Sequence, residues 1–228
     1  MFNMDMSFIY IGIIVIIFII CITLLIFAPK SINYYDLDTY PILKYITENN
    51  KDVINNSYAN IETDDGWVNW PDSSNVKGLC SIFPLFMFST LSKNRKQKCQ
   101  DLFKLMKNIP DVKSCAFIRI DKKSKIIKHT EWKDLSNNTL RCIFIIKSIA
   151  SAPMDLCGIW VNGETKKLIS GKCIIFDGSK EHSIYNETDY PVCALLLDIK
   201  RPYKIPNGIS IREYSDDIND FVCKLNSE

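Results

Sequence analysis

Apolar positions change their rhythm twice along the chain. From Phe8 to Ala28 they run without a charge, about the length that crosses a bilayer as a helix. No Lys or Arg precedes this run, and it is longer than the apolar region of a cleaved signal peptide. It predicts a permanent transmembrane helix and a single-pass membrane protein anchored through residues 8–28. From Ser31 to about Asn60 the chain is polar, with Ile42, Leu43, Ile46 and Val53 forming one stripe on a helix that starts near Tyr40-Pro41. Asp64 to Pro71 reads as a turn-rich loop whose Trp67 and Trp70 cap a core. Lys98 to Asn108 has helical spacing at Cys99, Leu102, Phe103 and Met106, ended by Ile109-Pro110.

Past Asp111 the rhythm becomes that of short strands. Cys115 to Ile120, Ile126 to Lys128, Leu140 to Ile146, Gly158 to Val161, Leu168-Ile169, Lys172 to Phe176, His182 to Tyr185 and Val192 to Ile199 are β-branched or aromatic runs. Asn162-Gly163, Ser170-Gly171 and Asp177-Gly178 punctuate them. Asn162-Gly163 predicts a two-residue hairpin. Many short strands without alternating helices predict a mainly β jelly-roll or barrel rather than a parallel α/β sheet. The expected organisation is an anchor at 1–29, a partly helical segment at 30–66, a β domain at 67–205 and a tail at 206–228.

Composition narrows the function classes. A net charge of +2 in 228 residues, with no basic face, argues against nucleic acid as a partner. Of the nine cysteines, Cys21 lies in the apolar helix, and Cys115, Cys142, Cys173 and Cys193 lie in strand-like runs, where a thiol serves as a small buried hydrophobe. No zinc-like spacing occurs. Lys30 after the apolar run places the following domain on the cytoplasmic side, whereas sequons at Asn55, Asn137 and Asn186 point to a lumen; the side stays open. The Ile-, Asn- and Lys-rich composition fits an AT-rich genome such as that of a large DNA virus.

The chemistry concentrates in Gly171-Lys-Cys-Ile-Ile-Phe-Asp-Gly-Ser-Lys-Glu-His182, a buried strand running into a polar turn that ends on a histidine. The chain has only two histidines, His129 and His182, each beside a β-rich run. Imidazoles on separate strands of one sheet are a common way to hold a divalent metal, and His129-Thr-Glu131 with a distant His182 has the form of a 2-His-1-carboxylate triad. The alternative is that each histidine is an ordinary hydrogen-bonded or surface residue and that Glu131 faces water.

These residues, with Ile82-Phe-Pro-Leu-Phe86, Ala116-Phe-Ile118, Leu140-Arg141 and Leu196-Leu-Asp-Ile-Lys-Arg-Pro202, resemble the aspartyl/asparaginyl β-hydroxylase domain of the Fe(II)/2-oxoglutarate-dependent dioxygenases, over about Trp67 to Pro202. The resemblance implies a double-stranded β-helix (jelly-roll, cupin-like) with flanking helices, and iron on His129 and His182. It further implies 2-oxoglutarate as cosubstrate and hydroxylation of a protein or peptide side chain. Glu131, at a position where the family has glycine and no carboxylate ligand, is a candidate third ligand on its spacing alone, and Arg141, which matches a family arginine, is a candidate 2-oxoglutarate contact.

The departures from the family pattern set a second reading beside the first. Val192 stands where the family has the arginine that grips the distal carboxylate of the cosubstrate. Ile143 stands in place of a histidine, and Ile118 and Ile120 occupy cosubstrate positions. Lys147 and Lys200 are the remaining cations that could compensate. Either the chain is an anchored dioxygenase, or it is a degenerate hydroxylase fold serving as a membrane-tethered binding or assembly module.

Overall fold

The computed structural model describes residues 6–26, 32–87, 90–91, 93–109 and 111–227. By its contacts the chain forms two compact units, Met1–Ile32 and Asn33–Glu228. The first contains helix α1 (Met6–Ile26), whose described apolar side chains, among them Ile14, Phe18 and Ile20, are exposed. Among the described residues no helix is long and apolar enough to cross a membrane. This overturns the transmembrane helix expected at residues 8–28 and the single-pass localisation resting on it.

The second unit is mainly β. Its strands in chain order are β1 (Tyr34–Tyr35), β2 (Val68–Asn69), β3 (Val76–Lys77), β4 (Cys80–Met87), β5 (Thr90–Leu91), β6 (Val112–Ile120), β7 (Ser124–His129), β8 (Thr139–Lys147), β9 (Cys157–Val161), β10 (Glu164–Lys167), β11 (Cys173–Phe176), β12 (His182–Asn186) and β13 (Val192–Lys200). They form a larger sheet ordered β1-β11-β8-β13-β6-β4-β2, with β5 on β4, and a smaller one ordered β10-β9-β12-β7-β3. Every described pairing is antiparallel. The result is a jelly-roll-like pair of sheets with flanking helices.

Burial explains why the larger sheet reads as continuous apolar runs. One face turns Ile118, Ile120, Ile143, Ile145, Val192, Ala194 and Leu196 into a core shared with Ile126, Ile159 and Val161 of the smaller sheet. The other face turns Phe117, Cys142, Phe144, Leu195 and Leu197 towards helices. Those helices are α2 (Pro41–Asn49), α3 (Lys51–Ile61) and α5 (Gln100–Met106), which contribute Leu43, Ile46, Ile54, Tyr58, Ile61 and Leu102 to the same core. A strand covered on both sides has no polar face to alternate with. The smaller sheet keeps its outer face wet, and β10 alternates exposed and half-buried residues.

Several expected elements shift. The helix at Tyr40-Pro41 stops at Asn49, and Val53 belongs to α3, which starts after Asn50. The helix expected over Lys98 to Asn108 forms as α5, with a separate α4 (Lys93–Lys98) ahead of it and the break at Cys99; Pro110, expected to end it, lies outside the described residues. Pro84 sits in β4 opposite Ala116, where a bulge begins before Phe86 and its missing N–H is tolerated. The hairpin forms as expected, with Asn162 and Gly163 both at positive φ between Val161 and its partner Glu164. Leu168-Ile169, expected as a strand, lies just beyond β10, with Leu168 buried in the core.

Two of the sequon asparagines are structural. Asn137 exchanges hydrogen bonds with the backbone of Ser210. The fully buried Asn186 donates from Nδ2 to the carbonyls of Ile120, Asp121 and Tyr190 at 2.8–3.1 Å and accepts from Thr188 at 2.6 Å. Asn186→Ala would take this donor from the Ile120 and Asp121 carbonyls and the acceptor from Thr188. We expect it to cost about 2–3 kcal/mol, seen as a lower urea midpoint at unchanged slope.

Candidate metal centre

Two adjacent strands of the smaller sheet bring the histidines together. In the pairing of β12 with β7, His182 lies directly opposite His129, and a bulge follows at Ile184. Their ring centroids are 4.4 Å apart. Each ring is anchored in the same way, with Nδ1 2.8 Å from the carbonyl two residues before it, Ile127 for His129 and Lys180 for His182. A carbonyl accepts only, so Nδ1 carries the proton and Nε2 presents its lone pair.

Both lone pairs face Glu131. Its Oε1 lies 3.5 Å from His129 Nε2 and 3.5 Å from His182 Nε2. Contrary to the reading in which Glu131 faces water, the carboxylate is buried, 2% exposed. The loop after His129 is folded inward by Glu131 N–H donating to Gly178 O at 2.9 Å. A Cβ on Gly178 would stand 3.2 Å from Glu131 Cγ, so the Asp177-Gly178 turn leaves room for that side chain.

Arg141 completes the cluster. On the inner face of β8 it lies opposite Asp198 of β13. Its Nε and Nη2 donate to the two oxygens of Asp198 at 2.7 and 3.0 Å, and its Nη1 donates to Glu131 Oε1. The arginine is thus held between two buried carboxylates.

The cations weighed as substitutes for the missing arginine lie elsewhere. Lys147 pairs with Glu62 at 2.5 Å and Lys200 with Asp111 at 3.5 Å, both on the exterior. Val192, Ile143, Ile118 and Ile120 are all buried in the apolar core between the sheets.

The electrostatics favour a bound cation. Burial holds the His129 imidazole down at about 4, well below its ordinary 6.5. His182 is held well below its ordinary value, by burial first and by neighbouring His129 second. Two neutral rings and a carboxylate therefore aim acceptors at one another. Glu131 Oε2 is buried and finds no hydrogen-bond partner among the described residues. One donor atom from each of the three residues lies within 4.8 Å of the others. Such a mixed imidazole and carboxylate set, with an orphaned oxygen, fits a divalent transition metal.

Sequence reasoning gave no role to Asp198, Asp177 or Arg201. Buried Arg201 donates to both oxygens of Asp177 and to Ser136 O, joining the turn before His182 to the end of β13. The available signal was a charge inside or at the end of an apolar run, because a buried charge needs a partner.

The family model of the aspartyl/asparaginyl β-hydroxylases matches residues 48–202. Among solved structures, a prolyl-4-hydroxylase from Pseudomonas putida aligns with TM-score 0.46 and 11% identity, over 67% of this chain and 88% of its own. A 2OG-Fe(II) oxygenase-family protein from Burkholderia pseudomallei aligns with TM-score 0.41 and 12% identity, over 68% and 93%. A predicted oxalate decarboxylase from Thermotoga maritima aligns with TM-score 0.39 and 13% identity, over 60% and 95%. No curated protein matches the chain.

The depressed histidines set a pH dependence for metal-free protein. Below about pH 6.5 the unfolded chain takes up protons that the folded one refuses. The His129 contribution to stability is full above that pH and is lost as pH falls towards 4, at about 1.4 kcal/mol per pH unit, and His182 acts in the same direction. Urea midpoints between pH 7 and 5 should fall more steeply for the wild type than for His182→Gln; equal slopes would contradict the assignment.

Proposed function

The chain belongs to the aspartyl/asparaginyl β-hydroxylase family, and we propose that it acts as a metal-dependent hydroxylase on a side chain of a protein or peptide, with Fe(II) held by His129, Glu131 and His182. Membership supports a hydroxylase-type function. The observation that carries the metal assignment is the convergence of His129 Nε2 and His182 Nε2 on one carboxylate whose second oxygen is unpartnered. Iron bound there would supply oxygen activation coupled to oxidation of an acid cosubstrate such as 2-oxoglutarate.

The protein's own groups have separate tasks. The Nδ1 anchors fix the tautomer and plane of both rings, so little ordering is needed when a metal binds. Glu131 supplies negative charge, and Arg141 holds that carboxylate in place while being held by Asp198. With Nε and Nη2 on Asp198 and Nη1 on Glu131, Arg141 could contact a cosubstrate carboxylate only by sharing or releasing one of these bonds.

A second reading has its own observation. The family positions for the cosubstrate carry Ile118, Ile120, Ile143 and Val192, all buried in apolar packing. A dicarboxylate there would meet apolar side chains, with Arg141 already engaged by Asp198 and Glu131, and a buried charge without its own partner is costly. In that reading the metal serves a folded binding module.

Anaerobic Fe(II) titration of the full chain, with and without 2-oxoglutarate, separates the two. The hydroxylase reading expects iron binding plus a metal-to-ligand charge-transfer band with 2-oxoglutarate, both abolished in His182→Ala. Iron binding without the band supports the module. Asp198→Asn, which loosens the hold on Arg141, should weaken iron binding by about 10–100-fold.

A further inference from the structure

On the helix-covered face of the larger sheet, Cys142 of β8 and Cys173 of β11 bring their sulfurs to 2.8 Å. That separation is intermediate between a disulfide bond of about 2.05 Å and an ordinary non-bonded contact of about 3.5–4.0 Å between carbons. The two strands are hydrogen-bonded neighbours, with Cys142 opposite Ile175 and Cys173 opposite Phe144, so the cysteines are diagonal partners in one register. All nine cysteines are free in the structure, and among the described residues this is the one pair in sulfur–sulfur contact. We propose that Cys142 and Cys173 form a reversible disulfide cross-linking β8 to β11, with a small-molecule or protein disulfide as the oxidant.

Exposure orders the steps. Cys173 is partly exposed at the start of β11, whereas Cys142 is fully buried. The Cys173 thiolate attacks one sulfur of the oxidant R–S–S–R and expels one thiolate, leaving a mixed disulfide. Cys142, whose thiol is pushed up first by its contact with Cys173 and then by burial, gives its proton to a departing thiolate and attacks Cys173 Sγ. The second R–S⁻ leaves. The balance is two protein thiols and one R–S–S–R giving one protein disulfide and two R–SH.

The position gives the bond a structural effect. In the same pairing Phe176 lies opposite Arg141, and β11 leads directly into the Asp177 turn and His182. Closing the bond fixes the strand that delivers His182 against the strand that carries Arg141. The span of 31 residues between the two cysteines is long enough for cross-linking to restrict the unfolded chain substantially.

Thiol counting and peptide mapping on the full chain test this. After equilibration with glutathione disulfide and acid quench, Cys142 and Cys173 should both be absent from the alkylated thiols, and the map should contain one peptide pair linked through them, distinct from glutathione adducts at exposed Cys21 and Cys223. The oxidised form should melt about 5–10 °C higher than the reduced one. Cys173→Ser should keep Cys142 alkylatable after the quench and show no oxidation-dependent shift. Alkylated Cys142 and Cys173 in the oxidised wild type, or a bridge mapped to another pair, would overturn the proposal. The wild-type map holds even if the variant folds poorly.

Discussion

The contact on which the site depends is the side-on pairing of Arg141 with Asp198, across two neighbouring strands of the larger sheet. It puts a cation inside an otherwise apolar space and leaves one end of the guanidinium pointing at Glu131. Taking these charges out of water is expensive, and a buried pair is not in itself a source of stability. What it secures is position. With Asp198 holding two of its nitrogens, Arg141 offers Glu131 a single fixed direction, and that direction points the carboxylate at the two histidines. Removing Arg141 would leave two buried carboxylates without their shared cation.

A second pair ties the same region from behind. Asp177 and Arg201 link the turn before His182 to the end of β13, so both histidine strands and both acidic ligands of arginine belong to one braced assembly. The C-terminal segment adds to it, with Ser210 Oγ donating to Glu131 O at 2.6 Å and Arg212 reaching Thr130 O at 3.0 Å. The loop that carries Glu131 is therefore held by neighbours on three sides. Residues after 205, expected as a tail, take part in shaping the centre.

The strands were legible because two-sided burial makes their apolar runs nearly unbroken, and the Asn162-Gly163 turn because it needs two residues tolerant of positive φ. The histidine pair was legible from scarcity and from the strands beside it. Glu131 was legible only as a member of a triad-like spacing, and what turns it inward was not. That turn rests on Gly178, distant in sequence, and on Arg141, whose direction is set by its pairing with Asp198. The helix boundary at Asn50 was missed for a related reason, since packing against the sheet divides a stripe that looks continuous. The transmembrane expectation rested on an uncharged apolar run alone, and among the described residues no helix is long and apolar enough to cross a membrane.

The central claim is that His129, Glu131 and His182 share one metal ion. Anomalous diffraction at the iron edge, from crystals of the full chain grown anaerobically with Fe(II), tests it directly. The account predicts a single peak about 2.0–2.2 Å from both Nε2 atoms and from a Glu131 oxygen, distances ordinary for such ligands. A well-ordered triad with no peak, or iron bound away from the two imidazoles, would contradict it.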